Sequence, residues 1–163
     1  MKTLNDYIKV YKTQIALGDV KEAYRSLIRF MMELRTQFHH ELPDHFISGS
    51  IYQGYMDMSF FAVISPALKE KKLKVIVLLD HENVSFELWL CGRNKKVQKK
   101  YWVVFKQSDF GNYTIPADIK GVDSILEHQL ISEPDFDNLE QLADQIKVGV
   151  LEFIENLEQF FDK

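Results

Sequence analysis

The fold of this chain is decided by the stretch Lys74–Lys106, KVIVLLDHENVSFELWLCGRNKKVQKKYWVVFK. It opens with a continuous apolar run, and the polar residues Asp80–Asn83 that follow favour a turn. Apolar and polar residues then alternate, which is typical of a strand with one buried face. The stretch therefore predicts a β-hairpin whose strands are Lys74–Leu79 and Val84–Cys91.

The hairpin leads through a tight turn into a predicted helix that begins at Asn94. Arg93, Lys95 and Lys96 lie in this turn and in the first helical turn, although the N-terminal end of the helix dipole is itself positive. Free backbone N–H groups and positive charge at such a point suit phosphate or carboxylate. The segment is a candidate anion site. The alternatives are that these side chains are solvated, or that an internal acid such as Glu87, or one from the acidic C-terminal helix, neutralises them.

Helical spacing of apolar residues predicts three further helices. The first, Thr3–Leu17, ends at Gly18, and the second begins with Asp19 as its N-cap and reaches about His40. The short Gly-Asp connection indicates an antiparallel helical hairpin. The last helix is long and acidic, and Asp137 with Glu140 resembles a capping box at its start.

The middle of the chain changes to a period of two residues. Alternation predicts a strand with one strongly apolar face, and an earlier strand, Phe46–Tyr52, is expected to pair with it. The segment Asp123–Ile131 fits helix or strand, with strand preferred. The apolar face of the alternating strand, which follows Phe46–Tyr52, consists of Met56, Met58, Phe60, Ala62 and Ile64.

These elements together predict an α+β fold in one domain that spans residues 1–163. It consists of an N-terminal helical hairpin, an antiparallel β-meander of about four to five strands, a basic helix and a long C-terminal helix. The length is in the range of one domain, and the aromatic content of 13% argues against disorder.

Composition excludes several classes of protein. The net charge of −4 is unlike the basic footprint of a typical nucleic-acid-binding protein. Cys91 is the only cysteine, so a disulfide within the chain and a cysteine-rich metal site are both excluded. The first residues lack the apolar core of a signal peptide, and no apolar run is long enough to span a membrane. A cytoplasmic protein without membrane contact is expected.

The basic helix, residues 94–107, leaves nucleic-acid binding open as an alternative. Lys95, Lys99 and Lys106 align on one helical face with Trp102 between them. Such interleaving of basic and aromatic side chains can serve single-stranded nucleic acid. The acidic net charge favours the simpler interpretation, in which this face of an amphipathic helix is solvated.

No standard catalytic motif is present. The cluster His39, His40, Glu41, Asp44 and His45 lacks the order of a zinc protease, and Pro43 interrupts any single helix that would hold it. No metal or cofactor is expected, and no catalytic residue is assigned. An unrecognised enzyme remains an alternative if carboxylates converge across the sheet, with the candidates Asp57, Asp80, Glu87, Asp123 and Glu127.

Four residues of the meander have side chains that suit a ligand pocket or an interface, namely Tyr52, Tyr55, Asp57 and Trp89. A second core layer beneath the helices is the alternative interpretation. Together with Arg93, Asn94, Lys95 and Lys96 they form the candidate ligand-binding set. The sequence thus favours a soluble, non-enzymatic module that binds an anionic small molecule or a protein partner. A homodimer in which the basic helix contacts the acidic one also remains open.

Three segments resemble an uncharacterised family of small bacterial proteins, a domain of unknown function. They are SGSIYQGYMDMSFF (Ser48–Phe61), FELWLCGRNKKVQKKYW (Phe86–Trp102) and GVDSILEH (Gly121–His128). The resemblance covers nearly the whole chain. It implies a bacterial, intracellular protein and supplies no catalytic residues.

Overall fold

The computed structural model describes residues 1–163 as five helices and one five-stranded antiparallel sheet. This is the α+β class that the sequence predicts. The helices are α1 (Leu4–Leu17), α2 (Asp19–Glu41), α3 (Pro66–Glu70), α4 (Lys95–Lys106) and α5 (Leu139–Phe161). The strands are β1 (Phe46–Ile47), β2 (Met58–Ile64), β3 (Leu73–Asp80), β4 (Ser85–Gly92) and β5 (Ser124–Ile131).

The N-terminal helical hairpin is confirmed. Thr3 caps α1, since its hydroxyl accepts from the Asp6 N–H at 3.3 Å while the Asp6 carboxylate accepts from the Thr3 N–H at 2.9 Å. Gly18 has φ of 92°, a left-handed conformation that reverses the chain at little steric cost. Gly18 also occupies the N-cap position of α2, so Asp19 is the first helical residue rather than the cap that the sequence predicts.

The sheet is a simple meander in which each strand pairs with the next one along the chain. The hairpin of β3 and β4 and the strand β5 are confirmed. The predicted strand Phe46–Tyr52 is shorter, because only Phe46 and Ile47 form β1 and Tyr52 adds one isolated bridge to Phe60.

Helices α2 and α5 cover one face of the sheet and form the main core with it. Edge-to-face aromatic contacts join the layers, with ring centroids 5.4 Å apart for Phe38 and Phe61 and 5.9 Å for Phe30 and Phe86. This core-facing side of β2 consists of Ser59, Phe61 and Val63, all of which are buried.

The strongly apolar face predicted for β2 therefore lies on the opposite side of the sheet. Phe60 and Ala62 are only partly buried there, and Met56 lies outside the strand. Both faces of β2 are apolar, so the alternation of residues does not determine which one the helices cover. The consequence is an apolar surface on a side of the sheet that no helix covers.

Helix α5 begins at Leu139, and the predicted capping box is absent. Its N-cap, Asn138, makes no side-chain capping hydrogen bond. The nearby carboxylate of Asp135 instead accepts from the Asp137 N–H at 3.0 Å and from the Asn138 amide at 2.7 Å. These bonds stabilise the loop before the helix.

None of the helices has the length and apolar character required to cross a bilayer.

Candidate functional site

A groove of about 360 Å³ lies on the uncovered face of the sheet. Its floor is apolar and is formed by Phe60 of β2, Ile76 and Leu78 of β3, and Trp89 of β4. The strand register explains this arrangement, because Phe60 pairs with Leu78, and Ile76 pairs with Trp89. Leu78 and Ile76 are buried beneath the larger side chains around them, so the floor is a second, small apolar cluster separate from the main core.

The turn between β4 and α4 closes one end of this groove. A Cβ at Gly92 would lie 2.6 Å from the Gln98 backbone nitrogen, so only glycine allows the first turn of α4 to lie this close to β4. The buried Gln98 amide donates to the carbonyls of Val122 and Ser124 at 2.9 and 3.1 Å. The start of α4 is therefore fixed on both sides, and Arg93 is placed at the groove by rigid backbone.

The turn in which the sequence predicts an anion site is the start of a capped helix. The Asn94 side chain accepts from the Val97 N–H at 3.0 Å and caps the helix. The N–H groups of Lys95 and Lys96 lie in the first turn and have no acceptor within the helix. Of the candidate ligand-binding residues, four line the groove, namely Trp89, Arg93, Asn94 and Lys95.

Lys95 is neutralised internally, by Asp123. Its ammonium group lies 2.9 Å from the Asp123 carboxylate and 2.7 Å from the Val122 carbonyl. Neither Glu87 nor an acid of the C-terminal helix, the partners suggested by the sequence, forms an ion pair with this turn. Glu87 accepts from the Trp89 indole N–H at 2.8 Å, and no ion pair joins α4 to α5.

Arg93 differs from Lys95 because its side chain has no internal partner. The guanidinium is exposed and makes neither a hydrogen bond nor an ion pair within the chain. Lys74, the second residue of β3, lines the same groove and is likewise without a carboxylate partner. The groove thus combines an apolar floor with two unpaired cations at its edge. Lys96 is exposed but does not line it.

The structure separates the remaining candidates. Tyr52 stacks on Phe60 with ring centroids 4.8 Å apart and so extends the groove. Tyr55 and Asp57 lie before β2, at the opposite end of the sheet, about 23 Å from Arg93 by the rise of a strand. The Asp57 carboxylate accepts from the N–H groups of Met58 (2.7 Å) and Tyr55 (2.9 Å), and these bonds lower its pKa. Asp57 therefore stabilises a turn.

The five candidate carboxylates do not converge on one point of the sheet. Asp57 and Asp123 lie at opposite ends of the sheet, and no three His, Cys, Asp or Glu side chains are close enough to hold a metal ion. Glu127 lies beside Trp89 but accepts a hydrogen bond from Ser124. Burial raises the pKa of the Cys91 thiol to about 12, so this thiol in the groove is protonated and inert.

Two lysine-rich segments that are distant in sequence meet beside the groove. The Lys72 carbonyl accepts from the Arg93 N–H at 2.9 Å. The ammonium groups of Lys71 and Lys100 lie over the rings of Phe161 and Tyr101, and these two rings contact each other at 5.5 Å. We call the resulting patch the basic surface; its residues are Lys71, Lys72, Arg93, Lys96 and Lys100, and none of them has an ion-pair partner.

The basic and aromatic row predicted on the other flank of α4 is largely engaged in internal contacts. The Lys106 ammonium lies 5.3 Å from the centroid of the Trp102 ring, and the Trp102 indole donates to the Pro116 carbonyl at 2.8 Å. With Lys95 paired to Asp123, only Lys99 of this row is free. On the flank of Lys96 and Lys100 neither lysine has an ion-pair partner, and the Lys100 ammonium lies 5.0 Å from the centroid of the Tyr101 ring.

A larger depression, of about 820 Å³, lies between the end of β5 and α5. Its lining is mostly polar and includes Glu133, Asp135, Asp144 and Glu152, with no unpaired cation. Its carboxylates repel an anion and no cation lines the depression, so the smaller groove is the better candidate for an anionic ligand.

Comparison of the sequence with known protein families gives a match that covers nearly the whole chain. A family model described as "Domain of unknown function (DUF7000)" matches residues 4–161. The chain belongs to the DUF7000 family. The resemblance inferred from the sequence, to a family of unknown function over nearly the whole chain, is thereby confirmed. The match includes the groove, the basic surface and the helical hairpin of this DUF7000 protein. No curated protein and no solved structure matches the chain.

Sequence reasoning missed most of the groove floor, namely Phe60, Ile76 and Leu78, and also Lys74 at its edge. A signal was present in the DUF7000 sequence, since Val75–Leu79 is apolar at every position. In an antiparallel sheet such a strand requires apolar surroundings on both faces. This pattern indicates that the face of the sheet away from the helices is also apolar.

Proposed function

We propose that this DUF7000 protein is a non-enzymatic binding module whose ligand is a small amphipathic anion seated in the groove. The observation that carries the proposal is the unpaired Arg93 guanidinium beside an apolar floor. Cations without a carboxylate partner next to an apolar surface complement a ligand with an apolar body and a phosphate or carboxylate group.

The floor provides the affinity for the apolar part. Phe60, Ile76, Leu78 and Trp89 come from three adjacent strands, so they form a rigid surface that needs little rearrangement. The volume of about 360 Å³ is at the lower end of the range of small-molecule sites. A single aromatic ring or a short acyl chain fits that space.

The edge provides the affinity for the charged part. Arg93 offers five N–H donors in a planar fork that matches phosphate and carboxylate oxygens. The free N–H groups of Lys95 and Lys96 and the positive end of the α4 dipole add to the same potential. Lys74 contributes a second charge from β3.

The first test compares the binding of phenyl phosphate with that of inorganic phosphate and of phenol. Inorganic phosphate represents only the charged part of phenyl phosphate, and phenol represents only the aromatic part. We expect phenyl phosphate to bind at least about tenfold more tightly than either half, because it uses the floor and the edge together. Binding is measured by calorimetry and by Trp89 fluorescence in a Trp102→Phe background, which leaves Trp89 as the only indole. Absence of saturable phenyl phosphate binding contradicts the proposal.

The second test removes the guanidinium. Arg93→Ala is expected to weaken phenyl phosphate binding about 10- to 100-fold, since hydrogen bonds to charged groups contribute about 1.5–3 kcal/mol. Lys99→Ala is the matched control, because it removes one exposed charge from α4 outside the groove. Equal affinities of the two variants would show that the effect is only one of net charge.

A second candidate function is nucleic-acid binding, which the basic surface favours. Five cations from two segments lie together without carboxylate partners and adjoin a groove that contains Trp89 and Phe60. Such a combination suits the phosphates and bases of a single strand. We expect a thymidine oligonucleotide to bind at low salt, with an affinity that falls steeply as salt is added.

Paired substitutions test this candidate. Lys96→Ala/Lys100→Ala removes two charges of the basic surface and is expected to reduce the slope of log affinity against log salt by about 1.4. Lys99→Ala/Lys106→Ala removes two charges from the opposite flank of α4 and serves as the control. Undetectable binding at low salt, or equal slopes for both variants, excludes the candidate.

A further inference from the structure

Most of the apolar surface of helix α1 is left uncovered by the rest of the chain. None of its residues is buried. Leu4, Tyr7, Ile8 and Tyr11 remain 46–73% exposed, and Val10 and Leu17 are similarly open. Single exposed apolar side chains are ordinary, but a contiguous set on one helix marks an interaction surface.

The apolar residues of α1 occupy one half of its circumference. At about 100° per residue, Leu17, Val10, Tyr7, Tyr11, Leu4, Ile15 and Ile8 follow one another around an arc of about 180°. The opposite arc carries the charged residues, namely Asp6, Lys9 and Lys12. The apolar half contains no charge.

Helix α2 is the main support of α1, and this packing leaves every residue of the 14-residue helix at least partly exposed. Isolated helices of this length are marginal in water, and most helical stability comes from packing of the apolar face. A narrow part of the arc faces α2. The remainder needs a second surface.

The exposed area is close to that of one side of a protein dimer. Val20, at the start of α2, extends this surface. The exposed fractions of Val20 and of the exposed apolar residues of α1 add up to about four fully exposed residues. At about 180 Å² for each, this amounts to roughly 700 Å² per chain. A stable interface buries about 800 Å² per partner.

We propose that the apolar half of α1 packs against α1 and α2 of a second copy of this chain about a two-fold axis. Two helical hairpins joined in this way form a four-helix bundle, in which each copy covers the other's exposed stripe. A second copy is the occupant that the surface fits best, because an uncharged face of Leu, Ile, Val and Tyr is complementary to itself. It offers no charge for a polar or anionic partner to recognise.

The test is the oligomeric state of the full chain by sedimentation and light scattering, up to ~100 μM. We expect a mass of twice 19.2 kDa and a Tm that rises with protein concentration. A monomer throughout this range overturns the proposal.

Substitutions then locate the interface. Ile8→Asp and Tyr11→Asp are each expected to weaken the dimer at least about 30-fold, because they place a charge in an apolar contact on both copies. Both side chains are exposed in the single chain, so the monomer retains its fold, which circular dichroism verifies. Lys9→Asp, on the charged arc, is the control and leaves the dimer intact. A dimer that persists in both Ile8→Asp and Tyr11→Asp, or that Lys9→Asp disrupts equally, places the interface elsewhere and refutes the proposal.

Discussion

Phe105→Ala is expected to lower the free energy of unfolding by about 3–5 kcal/mol. The Phe105 ring is fully buried. Its centroid lies 4.7 Å from that of Phe160, 5.3 Å from that of Phe110 and 5.8 Å from that of Phe161. These partners belong to the end of α5 and to the segment after α4. Truncation leaves a cavity bordered by separate segments, which cannot all move inward to fill it.

Urea unfolding monitored by circular dichroism measures this effect. Val104→Ala is the matched control, because Val104 is the preceding residue of the same helix and its side chain is exposed. We expect the control to change stability by less than about 1 kcal/mol. A loss below about 1 kcal/mol for Phe105→Ala would mean that this aromatic cluster does not hold α4 in place.

Gly92→Ala is expected to destabilise the protein by about 1–3 kcal/mol and to weaken ligand binding as well. The added Cβ would approach the Gln98 nitrogen to 2.6 Å and the Gln98 Cα to 3.0 Å. Backbone atoms cannot rotate away as a flexible side chain can, so the first turn of α4 must shift. That shift also displaces Arg93 and breaks the bonds from the Gln98 amide to Val122 and Ser124.

The measurement combines urea unfolding with the NMR resonances of the Gln98 side-chain amide. Gly111→Ala is the control, since the nearest heavy atom to its added Cβ is the Asp109 carbonyl oxygen at 3.9 Å. An unchanged Gln98 amide resonance in Gly92→Ala would contradict the close approach on which the groove depends.

Local patterns in the sequence were sufficient to predict most of the fold. Gly18 between two amphipathic segments indicates the helical hairpin, and the polar residues between two apolar strands indicate the β3–β4 hairpin. Asn94 was correctly placed at the start of α4 because capping depends on a single side chain and its own helix. Such features are decided by residues close in sequence.

The site was harder to predict because it depends on contacts between distant residues. Arg93 and Lys95 carry the same charge, yet only Lys95 forms an ion pair, with Asp123. The position of Asp123 depends on the loop before β5, which is distant in sequence from Lys95. Which face of β2 the helices cover also depends on the packing of the whole chain, since both faces of this strand are apolar. The groove forms on the face that the helices leave uncovered.

The edges of the sheet limit how copies of the chain can associate. At one edge β1 has only two residues, and at the other Thr114 is paired with Glu127 by reciprocal backbone hydrogen bonds of 2.8 and 2.9 Å. Long unpaired strands are the usual template for fibril growth and strand exchange. Growth of a fibril by strand addition is therefore unfavourable at the β1 edge, where only two residues form a strand.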